Sequence, residues 1–112
     1  MRVDRSEPTA VFEQVAAEIR RAILDGEARP GERLPPARDL AAELGVNTNT
    51  VLRSLRLLRD EGLLEFRRGR GVSVAGTPES TAVLVKAREL IELARRYGYR
   101  REELVRMIES LS

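Results

Sequence analysis

Between Ala37 and Arg53 the chain reads as two short helices joined by a tight turn. Leu40, Ala41 and Leu44 mark one face of the first, over about residues 36–44, and Gly45 stops it. Val46 packs the turn, and Asn47 is a good N-cap for a second helix over about residues 48–61. Val51, Leu55 and Leu58 give that helix one buried stripe, which ends at Gly62. A basic, glycine-rich stretch, Arg67-Arg68-Gly69-Arg70-Gly71, follows. A helix-turn-helix trailed by a positively charged hairpin tip is an arrangement that reads DNA, with the second helix in the major groove and the tip as a wing.

The flanking segments complete one domain and a small appendage. Phe12, Val15, Ala16, Ile19, Ala22 and Ile23 follow i, i+3, i+4, i+7 spacing. They predict an amphipathic helix over about residues 9–25, with Pro8 suited to a first helical turn and Gly26 as the stop. Ala28-Arg29-Pro30-Gly31 is a turn, and Arg33-Leu34 a short extended piece before Pro35. Leu64-Glu65-Phe66 and Val72-Ser73-Val74 alternate about the basic tip and predict a two-stranded hairpin. Thr77 caps a further helix with Pro78 in its first position and Gly98 as its stop. A last helix covers about residues 101–111, with Glu102 and Glu103 in its first turn, where the helix dipole favours anions. The fold class is therefore mainly α with a small β-hairpin wing. Residues 1–76 form a winged helix-turn-helix DNA-binding domain, and residues 77–112 a two-helix dimerisation segment.

Charge placement agrees with this division. The net charge is +2, but residues 1–46 carry −2, residues 47–76 carry +3 and residues 77–112 carry +1. The basic excess falls on the second helix of the motif and the wing. All but one of the 20 cationic residues are Arg, the side chain suited to bidentate phosphate and guanine contacts. The sequence holds no Cys and no His. Thiolate metal sites, disulfides and the commonest general base are thereby excluded, and no nucleotide-binding glycine loop or catalytic constellation stands out. No cofactor, metal or membrane partner is expected, and no enzyme activity. No apolar run approaches a membrane span and no signal-peptide pattern is visible, so the expected location is the cytoplasm.

Counting 100° per residue along the second helix of the motif puts Thr48, Asn49, Leu52, Arg53 and Arg56 roughly opposite its buried stripe. Asn and Arg can read adenine and guanine edges bidentately, and Thr can hydrogen-bond a base or touch a thymine methyl. Free N–H groups at the helix start can meet a phosphate. Capping is the stronger role for Asn47, and DNA contact for Thr48 and Asn49. Leu52 either touches a thymine methyl or packs locally. Arg38 opens the preceding helix, where it meets phosphate or a base edge, or else pairs with Asp39 or Glu43 on the surface. Arg67, Arg68 and Arg70, with Gly69 and Gly71, form a tip that can approach a phosphate or a narrow minor groove.

In the C-terminal segment, Leu84, Ala87, Leu90, Ile91, Ala94 and Tyr97 form one stripe. Leu104, Val105, Ile108 and Leu111 form another. Helices this short do not bury such stripes alone. They either pack back on the first helix or form a dimer interface. The dimer is favoured, because a two-fold pair doubles the base contacts of one winged domain. Leu84, Leu90, Ile91, Ala94, Tyr97, Leu104 and Ile108 are the candidate interface residues. No polar cluster points to a small-molecule effector.

The run Arg33-Leu34-Pro35-Pro36-Ala37-Arg38-Asp39-Leu40-Ala41-Ala42-Glu43-Leu44-Gly45-Val46 resembles the signature of the GntR family of bacterial transcription regulators. Asn47-Thr48-Asn49-Thr50-Val51, Leu57-Leu58-Arg59-Asp60-Glu61-Gly62-Leu63-Leu64 and Arg68-Gly69-Arg70-Gly71 extend the resemblance over about residues 10–75. The Asn47-x-Asn49-Thr50-Val51 form and the two-helix tail are similar to the short YtrA-type subfamily. The resemblance implies double-stranded DNA as partner, a homodimer without a large effector pocket, and repression of a neighbouring operon, often one encoding an ABC transporter. It also implies Arg38, Thr48, Asn49, Thr50, Arg53, Arg68, Gly69, Arg70 and Gly71 as DNA contacts. The family usually has Ser where Pro36 stands, and many longer members have Arg in place of Thr48 and Leu52. Their operators do not transfer to this chain.

Overall fold

The computed structural model describes Val3 and residues 10–112. The element order is α1 (Val11–Leu24), α2 (Ala37–Leu44), α3 (Thr48–Asp60), β1 (Leu64–Arg67), β2 (Gly71–Val74), α4 (Pro78–Arg96) and α5 (Arg101–Leu111). The mainly helical architecture, with a two-stranded wing after the helix-turn-helix and two C-terminal helices, is the one the periodicities predict. The reading of Pro8 as part of a first helical turn lies outside the described residues. Pro36 stands just before α2, as its N-cap, rather than inside it. Two compact units are distinguished, one running to Thr81 and the other Ala82–Ser112.

The first unit is built around α3, against which both α1 and α2 pack. Val15, Ile19 and Ile23 of α1, Leu40 of α2, and Val51, Leu55 and Leu58 of α3 are enclosed. Burying each such side chain contributes about 1.5–3 kcal/mol. The stripe read from α3 is therefore the floor of the core. Leu44 is only half-buried, short of the core place its spacing suggested.

Two polar ties join α1 to α3 beyond this packing. The fully buried hydroxyl of Ser54 donates to the Phe12 carbonyl at 2.6 Å and also lies 3.1 Å from the Thr50 carbonyl. Arg20 forks onto Glu61 just past the end of α3, Nε to Oε1 at 3.0 Å and Nη2 to Oε2 at 2.9 Å. Both side chains are only 9% exposed. The planar guanidinium matches the carboxylate edge to edge, which is the strong form of such a pair.

After α3, the Leu63 N–H returns to the Leu58 carbonyl at 2.9 Å and turns the chain into the hairpin. Leu64 pairs with Val74, Glu65 with Ser73, Phe66 with Val72 and Arg67 with Gly71. Leu64 and Val74 are buried, so by strand alternation Glu65, Arg67 and Ser73 lie on the outer face. The extended piece before Pro35 joins this sheet. Arg33 bridges Ser73 antiparallel, the Leu34 N–H reaches the Val72 carbonyl at 2.8 Å, and the Val74 N–H reaches the Glu32 carbonyl at 2.8 Å. Pro35, with no N–H to give, follows where this edge ends.

The exit from β2 is tightly closed. Ala75 and Gly76 both donate to the Leu63 carbonyl, at 2.9 and 3.1 Å. A Cβ at Gly76 would stand 2.7 Å from Leu63 Cδ2 and 3.2 Å from Thr81 Oγ1. Thr77 then caps α4 as expected: its hydroxyl accepts the Ser80 N–H at 3.0 Å, and Ser80 Oγ accepts the Thr77 N–H at 3.0 Å. In the second unit, α5 opens with the Arg100 N–H donating to the Glu103 carboxylate at 2.9 Å. Ala94 and Leu104 are buried there, and most of its other apolar side chains are exposed.

Arg20→Met should lower the unfolding free energy by roughly 3 kcal/mol, because it takes the fork away from a largely buried carboxylate. Adding Glu61→Leu should recover most of that loss. Gly76→Ala should cost about 1–3 kcal/mol by overpacking against Leu63. Urea denaturation of the three variants checks all of these.

Candidate nucleic-acid interface

The start of α3 presents its polar residues outward. Thr48 and Asn49 are exposed and Thr50 is half-buried, while Val51 one position on is completely enclosed. Asn47 acts as the cap: its Oδ1 accepts the Asn49 N–H at 2.8 Å, and its carbonyl accepts from Thr50 at 3.0 Å and Val51 at 3.2 Å. The expected free donors at this helix start are thus reduced, among the described residues, to the N–H of Thr48. Leu52 is half-buried, which favours local packing. Arg53 is exposed, yet its guanidinium carbon lies 3.7 Å from the centroid of the Phe12 ring. Such a stack contributes about 0.5–1 kcal/mol at an exposed site, and it gives Arg53 a defined starting position. Arg56, a turn later, is exposed without a carboxylate partner among the described residues.

At α2, Pro36 offers no side-chain cap. The N–H groups of Asp39 and Leu40 return to its carbonyl at 2.9 and 3.1 Å, while those of Ala37 and Arg38 have no partner among the described residues. The Arg38 side chain is 83% exposed and 3.9 Å from Asp39, beyond hydrogen-bonding distance. The surface-pair alternative for Arg38 is therefore loose.

In the wing, the Arg70 N–H closes a turn onto the Arg67 carbonyl at 3.0 Å. Gly69 and Gly71 have φ of 75° and 77°, values at which a side chain would strain the backbone. Arg67 is bonded to Glu65 at 2.9 Å, whereas Arg68 and Arg70 are exposed and without a carboxylate partner among the described residues.

The arginines of this unit thus separate by partner. On α1, Arg21 meets Glu18, Asp25 and Glu27 at 3.0–3.3 Å. Its hydrogen bond holds the Glu27 carboxyl below the usual carboxylate range, and Glu27 first and then Asp25 hold the Arg21 guanidinium more firmly protonated. That face is neutralised. Arg33, Arg53, Arg56, Arg68 and Arg70, on the wing sheet and α3, carry no such neutralisation among the described residues. Arg33 is not among the DNA-contact candidates of the sequence; it appears there only in the extended Arg33-Leu34 pair and as the first residue of the family-like run. No group of His, Cys, Asp and Glu among the described residues could hold a metal ion.

Comparison with known proteins agrees with this geometry. The profile described as "Bacterial regulatory proteins, gntR family" matches residues 12–74. The chain is 32% identical over 109 residues to the HTH-type transcriptional regulator Rv1152 of Mycobacterium tuberculosis, covering 96% of this chain and 90% of that protein. It is 32% identical over 83 residues to the HTH-type transcriptional repressor YtrA of Bacillus subtilis, covering 74% of this chain and 64% of that protein. The chain thus matches a little under two thirds of the Bacillus repressor's length. The solved structure of YtrA from Sulfolobus acidocaldarius, a GntR-family transcription factor, superposes with a TM-score of 0.65 at 31% identity, covering 99% of this chain and 95% of that one.

Arg68→Ala and Arg70→Ala should each weaken DNA binding uniformly across sequences and reduce the slope of log affinity against log salt by about 1. Arg67→Ala, at a charge already offset by Glu65, should change that slope by less. Fluorescence anisotropy on duplex DNA at several salt concentrations measures all three.

Proposed function

This chain belongs to the GntR family of bacterial DNA-binding transcription regulators, and from that premise we propose that it is a sequence-specific repressor which binds an inverted-repeat operator as a homodimer. The observation that carries the reading is the split of α3. Its Thr48 and Asn49 are exposed while Val51, Leu55 and Leu58 are wholly enclosed. A helix held by one face offers the other to the major groove. Thr48, Asn49 and Arg53 then face base edges, and Arg38, Arg68 and Arg70 take backbone or minor-groove positions. Residues 1–76 act as the reader.

Residues 77–112 act as the dimerisation segment. Leu90, Ile91, Tyr97 and Ile108 are exposed, Tyr97 to 72%, and Leu84 is half-buried. Several large apolar side chains left exposed on two short helices support an association site. Ala94 and Leu104 are already buried, so they support such an interface from beneath. No helix among the described residues is long and apolar enough to cross a membrane.

Selection of bound fragments from the source genome should return an inverted repeat with half-sites about 10 bp apart, or somewhat more, near an operon such as the transporter operon that the family resemblance implies. Recovery of fragments without a common sequence would favour a non-specific architectural protein. Recovery of no DNA at all would favour a protein-interaction module. Ile91→Glu combined with Ile108→Glu should convert a dimer to a monomer in analytical ultracentrifugation and lower operator affinity at least about tenfold, since each half-site is then held alone.

A further inference from the structure

We propose that the outer face of the wing sheet is a second backbone-phosphate site, in which Arg33, Arg67 and Arg70 take the DNA strand flanking the half-site. This rests on the DNA-binding reading above and extends its footprint beyond α3 and the wing tip.

The argument begins with the edge strand. Arg33 pairs with Ser73, which pairs with Glu65 on the far side. Side chains directly opposite one another share a face, so Arg33 stands on the outer face with Glu65 and Arg67. Its guanidinium leans across the sheet toward the wing base. A Cβ built on Gly71 would lie 3.3 Å from Arg33 Nε and 3.4 Å from Nη2. Gly71 is the residue opposite Arg67 in the register. The missing side chain at Gly71 therefore does more than permit a turn: it leaves the space over which Arg33 reaches the other two arginines.

Arg33, Arg67 and Arg70 border one open hollow of about 710 Å³. Among the described residues Glu65 is the only carboxylate on its rim, and it is already bonded to Arg67 at 2.9 Å. Arg33 and Arg70 have no carboxylate partner among the described residues. Three like charges gathered around one acid repel each other unless an anion lies between them. The shape decides which anion. The hollow is open to solvent and its floor is strand backbone, so nothing encloses a small molecule. A phosphodiester chain needs no enclosure, since successive phosphates meet successive arginines. Arg70 also belongs to the wing tip, which makes the face continuous with the surface already assigned to DNA.

The test uses the full chain and a duplex recovered by the genomic selection, with about one helical turn of flanking DNA on each side. Arg33→Ala should lower the slope of log affinity against log salt by about 1. The weakening should be equal on this duplex and on one with its half-sites scrambled, as befits a contact without base readout. Arg33→Lys, which keeps the point charge, should restore the slope, and trimming the flanks should abolish the difference between Arg33→Ala and wild type. An Arg33→Ala slope equal to wild type, with Arg70→Ala still reducing it, would overturn this inference and leave the repressor reading standing. A loss that Arg33→Lys does not rescue would make Arg33 a packing residue and overturn it equally. Wild-type protein that binds neither duplex would remove the reading on which the inference rests.

Discussion

The contact between α1 and α3 is the constraint on which the rest depends. An eight-residue helix such as α2 and a short hairpin have little stability of their own in water. They hold their places because α3 is fixed, and α3 is fixed by α1. The packing of Val15, Ile19 and Ile23 against Val51, Leu55 and Leu58 supplies most of the free energy but little direction, because apolar contact tolerates sliding. The Ser54–Phe12 hydrogen bond and the Arg20–Glu61 fork add direction at the middle of α3 and just past its end. A helix pinned at two levels can neither rotate nor slip by a residue. A reading helix needs that restraint, since a slip of one position would put Thr48 or Thr50 in the place of Asn49.

A second theme is the disposition of charge. The chain is only slightly basic overall, which by itself says little about a polyanionic partner. The pairing pattern says more than the sum. On α1, Arg21 is surrounded by acids; on α3 and the wing sheet Arg59 and Arg67 each hold one acid, while Arg33, Arg53, Arg56, Arg68 and Arg70 have none among the described residues. Those open charges cost repulsion in the free protein, and that cost is relieved when phosphates arrive. Arg53 shows a milder form of the same thing: lacking an acid, it rests on the Phe12 ring, an interaction weak enough to exchange for a base edge.

Much of this was legible in the sequence, for an identifiable reason. Val51, Leu55 and Leu58 repeat with the helix period, Asn47 and Thr77 are cap residues, and Gly69 and Gly71 punctuate a hairpin. Each of these signals is local, and each reappears as an element or a cap. What escaped depends on residues far apart in the chain. Arg20 looks like a surface cation until Glu61 is placed beside it, 41 positions later. Arg33 reads as a short extended piece with no partner until Ser73 supplies the strand it borders. The stack of Arg53 on Phe12 and the tight seat of Gly76 against Leu63 are likewise products of tertiary approach. Periodicity carries no information about which partner a charge will find.

The cap on α3 limits what this surface can distinguish. Asn47 turns its side-chain oxygen back onto the Asn49 N–H, so only its NH₂ remains to face outward. An asparagine in that state has its oxygen turned to the helix, with one of its two acceptor positions taken. Its NH₂ can approach a phosphate oxygen, guanine O6 or N7, or thymine O4, but its oxygen, held against the helix start, is poorly placed for the paired donor-and-acceptor contact that singles out adenine. The two asparagines, separated by one residue, are therefore unequal letters in the reading alphabet. On the proposed docking, adenine recognition at the mouth of α3 falls to Asn49, which is exposed and whose amide has no partner among the described residues. A change of operator preference at that base pair would begin with Asn49 rather than with its neighbour at the cap.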